Sequence, residues 1–163
     1  MSGSRLGIQE TAAYLRKLDD VLLLTHVRPD GDTIGSAAAL CQALRDMGKT
    51  AYLLYNPEIT DTYAPYAAPY WAPEGFTPSH IVSADIAALN LLPDDAAAYA
   101  PRIELAIDHH GSHGFFAPNV YRPAAVCGHR HGHRLLRLYQ YHRPHPPHRG
   151  GAAGDGHRHR AGK

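Results

Sequence analysis

Aspartates and histidines gather in three short stretches of this chain. His26, Asp30 and Asp32 lie within Thr-His-Val-Arg-Pro-Asp-Gly-Asp-Thr-Ile-Gly-Ser, Asp85 ends Val-Ser-Ala-Asp, and Asp108, His109 and His110 are consecutive. Carboxylates mixed with imidazoles suit Mn²⁺, Zn²⁺ or Fe²⁺ better than Ca²⁺, which prefers oxygen alone. Two such ions roughly 3.5–4 Å apart form a clamp for in-line phosphoryl chemistry. The clamp needs a bridging carboxylate, and the end of a central strand would place Asp85 well for that. Gly31 is expected to let the backbone turn tightly, so that Asp30 and Asp32 face different ions. Taken singly, each piece has an ordinary explanation: a turn and helix cap for Asp30-Gly31-Asp32, a cap for Asp85, a solvent-facing pair for the histidines. Scattered caps have no reason to collect at successive strand ends.

The elements that must position these residues can be read from apolar spacing. Ile8, Ala12, Leu15 and Leu18 mark one helical face over Ile8 to Leu18. Val21 to Thr25 is a continuous apolar run, as in a strand buried on both faces of a parallel sheet. After a polar loop from His26 to Asp32, Ile34 to Met47 reads as a helix stopped by Gly48. Thr50 to Tyr55, His80 to Ala84 and Ile103 to Ile107 are further strand candidates. Strands separated by helices favour right-handed β-α-β units, and ligands in such sheets bind beyond the carboxyl ends of the strands. The segment from Pro57 to Pro78 is aromatic and proline-rich with little periodicity, and is expected to pack as a loop over the sheet edge; nucleotide stacking on its rings is the weaker alternative, since the sequence does not fix which ring is exposed.

The 163 residues suffice for one domain with a sizeable core, and 44% hydrophobic content excludes a wholly disordered chain. No apolar run approaches the roughly 20 residues of a membrane span. The start lacks the apolar core of a secretory signal, and Cys41 and Cys127 cannot make a disulfide framework. These features lead to an expected cytoplasmic setting with no membrane partner. Residues Met1 to Tyr121 carry 7 basic and 14 acidic side chains, a balance of −7. Residues Arg122 to Lys163 carry 9 basic and 1 acidic, a balance of +8, together with 8 of the 13 histidines.

On its three motifs the chain resembles the DHH phosphoesterase family, named for the string seen here as Asp108-His109-His110. The pattern His-x-x-Pro-Asp-Gly-Asp-x-Ile-Gly-Ser looks most like the oligoribonuclease/pAp-phosphatase branch, and the resemblance covers roughly Ile8 to Tyr121. It implies a Rossmann-like three-layer α/β domain with a mainly parallel sheet, and metal-dependent hydrolysis of short oligoribonucleotides or of adenosine 3′,5′-bisphosphate. It further implies that His26 and Asp30 bind one metal, Asp32 and His109 the other, and that Asp85 bridges them. The ions would be manganese, His110 would face the substrate phosphate, and Asp108 would orient the neighbouring histidines. A water activated by the ions would attack phosphorus, without a covalent enzyme intermediate. The alternatives are a non-catalytic metal- or nucleotide-binding module and a basic-tailed RNA binder.

The resemblance also implies another metal-binding Asp in a Thr-Gly-Ile-x-x-Asp-Thr-Gly-like segment and a glycine-rich second lobe, and no segment here matches either. The chain is therefore expected to be a truncated DHH domain over residues 1–121. Residues 122–163, rich in His, Arg, Pro and Gly, read as a disordered tail translated out of frame, because codons allowed there spell family-like strings one nucleotide on. Surface left bare by the absent lobe is expected to favour association into homo-oligomers.

Overall fold

The computed structural model describes residues 4–122. It contains strands β1 (Ser4–Leu6), β2 (Val21–Leu24), β3 (Ala51–Leu53), β4 (His80–Ala84), β5 (Ile103–Ile107) and β6 (Asn119–Tyr121). Helices α1 (Ile8–Leu15), α2 (Gly31–Asp46) and the short α3 (Ala64–Ala67) separate several of them. The six strands form one sheet in the order β1-β6-β5-β4-β2-β3, and every pairing is parallel. All four residues of β2, Val-Leu-Leu-Leu, are buried because helices or turns cover both faces at the sheet centre.

Two apolar layers enclose the sheet. On one face Leu15, Leu18, Ile34, Ala37, Leu40 and Leu44 from α1, α2 and the turn after α1 pack on Val21, Leu23, Val82 and Leu105. The other face, with Leu22, Leu24, Ile81, Ala106 and Val120, is covered by Ala96, Tyr99, Leu91 and Phe116. This second cover is built from 3₁₀ turns at Leu89–Leu91 and Asp94–Arg102 rather than from an α-helix. Pro93 precedes the longer turn and Pro101 lies inside it, and proline cannot supply the N–H that an α-helix needs there.

Helix boundaries follow local chemistry. Asp30 accepts hydrogen bonds from the backbone N–H groups of Asp32 and Thr33, so α2 starts three residues before the apolar pattern does. At its other end Gly48 adopts φ +77°, its N–H donates to the Arg45 carbonyl, and Lys49 N–H donates to the Leu44 carbonyl. That pair of bonds is the Schellman stop, for which a left-handed glycine is suited. Helix α1 ends at Leu15 rather than Leu18, although Leu18 still turns inward and is buried. The aromatic segment after β3 covers that edge: Ala72 N–H donates to the Leu53 carbonyl, and Ile59, Tyr63, Tyr70 and Trp71 pack on the core. Arg122 is described; the basic tail from residue 123 onward lies outside the described residues.

Leu23→Ala, at a fully buried position in a central strand, is expected to destabilise the fold by about 3 kcal/mol. The exposed Ile8→Ala should stay within about 0.5 kcal/mol, and urea unfolding followed by circular dichroism checks both.

Candidate metal centre

Parallel pairing brings the carboxyl ends of β2, β4 and β5 to one edge of the sheet, and all seven residues singled out by the sequence lie in the segments that follow them. Asp85 is the hub. Its Oδ2 lies 3.9 Å from His26 Nε2, and its Oδ1 lies 3.2 Å from His109 Nδ1 and 3.5 Å from His110 Nδ1. His26 Nε2 is also 4.0 Å from Asp30 Oδ1, and His109 Nδ1 is 3.8 Å from Asp32 Oδ2. The side chains therefore fall into two groups that share one carboxylate: His26, Asp30 and Asp85 on one side, and Asp85, Asp108, His109 and His110 on the other.

The backbone holds Asp85 where few residues would sit. Its φ is +60°, in the left-handed region, while its N–H donates to the Ile107 carbonyl at 2.8 Å and continues the β4–β5 ladder. A non-glycine residue kept in that conformation is held by its surroundings, and such strain is commonly found at functional sites. The side chain is 5% exposed, and Oδ1 has no hydrogen-bond partner. Burial first, then the Asp32 carboxylate, push its pKa up to about 7; Asp108 adds to the rise, and His110 and His26 oppose it.

Each histidine is aimed by a neighbour. His26 Nδ1 lies 2.7 Å from the Val27 carbonyl, so Nδ1 carries a proton and Nε2 is the ring nitrogen directed toward Asp30 and Asp85. His110 Nδ1 lies 2.7 Å from Asp108 Oδ1, and the His109 and His110 rings stack at 4.4 Å. Burial lowers the His110 pKa, but the Asp108 hydrogen bond and the charges of Asp108, Asp85 and Asp32 outweigh it and raise the net value. Asp108 is buried and its Oδ2 has no hydrogen-bond partner.

The donor set suits a divalent transition ion. Buried carboxylate oxygens are expected to be satisfied by a donor or a cation. Asp108 Oδ2 has no hydrogen-bond partner among the described residues, and Asp85 Oδ1 has only the nearby ring nitrogens of His109 and His110, with no hydrogen bond formed. Imidazole nitrogens beside carboxylate oxygens match the preference of Mn²⁺, Fe²⁺ or Zn²⁺.

Gly31 requires a correction. It lies inside α2, and the glycines with positive φ among the described residues are Gly48 and Gly75, so no tight left-handed turn separates Asp30 from Asp32. A Cβ built on Gly31 would stand 3.2 Å from the Tyr63 ring, and that close approach is what calls for glycine.

Three supporting residues are not evident from motif spacing. Thr33 Oγ1–H donates to the Ala84 carbonyl at 3.0 Å, fastening the start of α2 to the end of β4 beside Asp85. Asn56, 2% exposed, donates to the His26 carbonyl at 2.9 Å and to Thr25 Oγ1 at 3.2 Å. His113, three residues after His110, is buried against Phe115 and Phe116, and its Nδ1 accepts from the Phe115 N–H. A buried Asn just after a strand is the one signal that could have been read; the Thr33 bond joins residues 51 apart.

Two outcomes are expected of the metal-free protein. Asp85 ionises less readily folded than unfolded, so its contribution to stability is complete below about pH 4 and is lost as pH rises through about 7. Asp85→Asn should remove that slope, giving a higher melting temperature than wild type at pH 8 in EDTA. Conversely, stabilisation by Mn²⁺ should grow over the same pH range in wild type and vanish in the variant. Asn56→Ala should lower stability by about 1–3 kcal/mol and weaken Mn²⁺ binding in calorimetric titration, because the backbone behind His26 loses its support.

With this geometry in place, comparison with known proteins is informative. The DHH family, N-terminal domain, matches residues 20–132. The bifunctional oligoribonuclease and PAP phosphatase NrnA of Thermus thermophilus is 33% identical over 98 residues, covering 59% of this chain and 29% of its own length. An exopolyphosphatase-related protein from Bacteroides fragilis superposes with a TM-score of 0.61 at 22% identity, over 82% of this chain and 44% of that one, a likeness that concerns the fold alone. The chain thus spans less than a third of the curated relative's length. The matched segment contains His26, Asp30, Asp32, Asp85, Asp108, His109 and His110 together, and on that match the chain belongs to the DHH family.

Proposed function

We propose that the chain carries the metal-binding half of a phosphoesterase that hydrolyses short oligoribonucleotides or adenosine 3′,5′-bisphosphate. The observation that carries this is the sharing of buried Asp85 between two clusters of imidazole and carboxylate groups. The substrate assignment is supported by the likeness to the Thermus thermophilus oligoribonuclease and PAP phosphatase.

In this reading His26 and Asp30 would hold one Mn²⁺, Asp32 and His109 would hold the other, and Asp85 would serve both. Paired divalent ions supply Lewis-acid polarisation of the phosphoryl group and a water acidic enough to attack at neutral pH. The remaining work belongs to the chain. Asp108 Oδ1 accepts a hydrogen bond from His110 Nδ1–H, leaving Nε2 as the other ring nitrogen of a side chain that is 44% exposed. The surrounding carboxylates favour the protonated ring, which makes Nε2–H a charged donor for a phosphate oxygen. The N–H groups of Asp32 and Thr33 are already taken by Asp30, so these two are not free to hold phosphate in the manner of other helix N-termini. Phosphate recognition falls to His110 and the metal side chains.

The test is Mn²⁺-dependent release of inorganic phosphate from adenosine 3′,5′-bisphosphate and of mononucleotide from a dinucleotide. Asp85→Asn should abolish both, and His110→Asn should lower kcat by about 10²-fold or more while leaving Mn²⁺ binding in place. Mn²⁺ binding with no turnover on either substrate would overturn the assignment in favour of a binding module. RNA binding that weakens with salt and disappears on removal of residues 122–163 would favour the basic-tailed RNA binder.

A further inference from the structure

A groove of about 590 Å³ runs along α2, starting at Gly31 between Asp30 and Asp32 and ending near Gln42. Its walls are the rings of Tyr63, Tyr66 and Tyr70, and its floor is the glycine and alanine face of the helix. None of its lining residues is charged at neutral pH, which suits an uncharged ring rather than a second anion. Tyr66 is 67% exposed, and of the large apolar or aromatic side chains standing exposed among the described residues it alone lines the groove.

Gly35 is the independent observation. It sits inside a 16-residue helix, where glycine is less stable than alanine, yet a Cβ built there would meet nothing within 4 Å. No packing within the chain accounts for the missing side chain, in contrast to Gly31, which the Tyr63 ring explains. A helix surface stripped to backbone beside aromatic rings allows close approach by something flat. From Gly31 to Gly35 the helix rises about 6 Å, comparable with the span of a ribose between its phosphate and its base.

We propose that this groove holds the nucleobase of the substrate, stacked on Tyr66 and Tyr63 with its face against Gly35. The proposal rests on the reading that a phosphoester is held at the Asp85 clusters. Gln42 is held in place, its amide donating to Asp46 and its oxygen accepting from Tyr70, so the groove is expected to bind a base chiefly by stacking. Purine and pyrimidine nucleotides should both be accepted. A second copy of the chain fits the groove less well, because its nine lining residues make a patch far smaller than the roughly 20 residues a side of a stable dimer interface.

The test is calorimetric titration of the full chain, with Mn²⁺ present, using AMP, UMP, ribose 5-phosphate and inorganic phosphate. Both nucleotides are expected to bind at least about tenfold more tightly than ribose 5-phosphate, the advantage one stacked base brings. Gly35→Leu, which fills the groove, and Tyr66→Ala, which removes an exposed wall, should each erase that advantage. Circular dichroism and melting curves confirm folding, and Tyr66→Ala guards against a folding defect in Gly35→Leu. Equal binding of nucleotide and ribose 5-phosphate would overturn the base site and leave the phosphoesterase reading standing. Failure of all four to bind would overturn both. A dimer in sedimentation that Gly35→Leu dissociates would assign the groove to a second copy instead.

Discussion

The carboxylate of Asp85 is buried at the end of the central strand β4, within 4 Å of three imidazoles, and much of the surrounding structure can be understood as what keeps it there. An isolated anion in that position costs several kcal/mol of lost hydration unless opposite charge is supplied. The fold supplies little of it. Burial and the neighbouring carboxylates therefore raise the Asp85 pKa to about 7, which favours the protonated side chain as pH falls below neutral. Its left-handed backbone is tolerated because the N–H bond to Ile107 and the buried strands on both sides fix it. A sheet with antiparallel neighbours would send the ends of β2 and β5 the other way, and the histidines would never meet Asp85.

Helix α2 is anchored to serve that carboxylate. Asp30 caps the helix through Oδ1, which stands 4.0 Å from His26 Nε2, so one residue both starts the helix and faces the cluster. Asp32 lies in the first turn, where the helix dipole favours a negative charge. Thr33, next along, ties the turn to the end of β4. Asp30, Asp32 and Thr33 thus fix the helix against the sheet edge, and Asp32 points its second oxygen toward His109. The cap and the ligand roles of Asp30 are compatible readings, and the structure gives the side chain the geometry for both.

The central strands and the gathering of acids and histidines at the strand ends were legible because their signals are local. Val21–Leu24 is a continuous apolar run, and the acids and histidines sit within a few residues of strand ends. The edge strand Ser4–Leu6 and its neighbour Asn119–Tyr121 were not legible, since three residues carry no periodicity and their pairing joins the two ends of the described chain. The 3₁₀ cover over the second face was also hidden, because Leu91, Ala96 and Tyr99 keep neither a helical nor a strand period. Gly31 was read correctly as required but for the wrong reason. Its demand comes from the Tyr63 ring, some thirty residues away, and no reading of Asp-Gly-Asp alone could have found it.

The histidines show how much of the site exists before any ion arrives. His26 is pinned twice, through Val27 at its ring and through Asn56 at its backbone, so Nε2 is already directed at Asp85. His110 is pinned by Asp108, itself fixed by a backbone bond to β6 at Tyr121. Ligands held in this way lose little freedom on binding a cation, which keeps affinity from being spent on ordering side chains. What the bare protein cannot arrange is charge: burial and the Asp32 and Asp108 carboxylates oppose ionisation of Asp85, and a divalent cation would relieve that opposition. Geometry is therefore largely preformed while electrostatics is left unbalanced, and a divalent ion binding here would act as the last stabilising contact of the fold as well as the source of its chemistry.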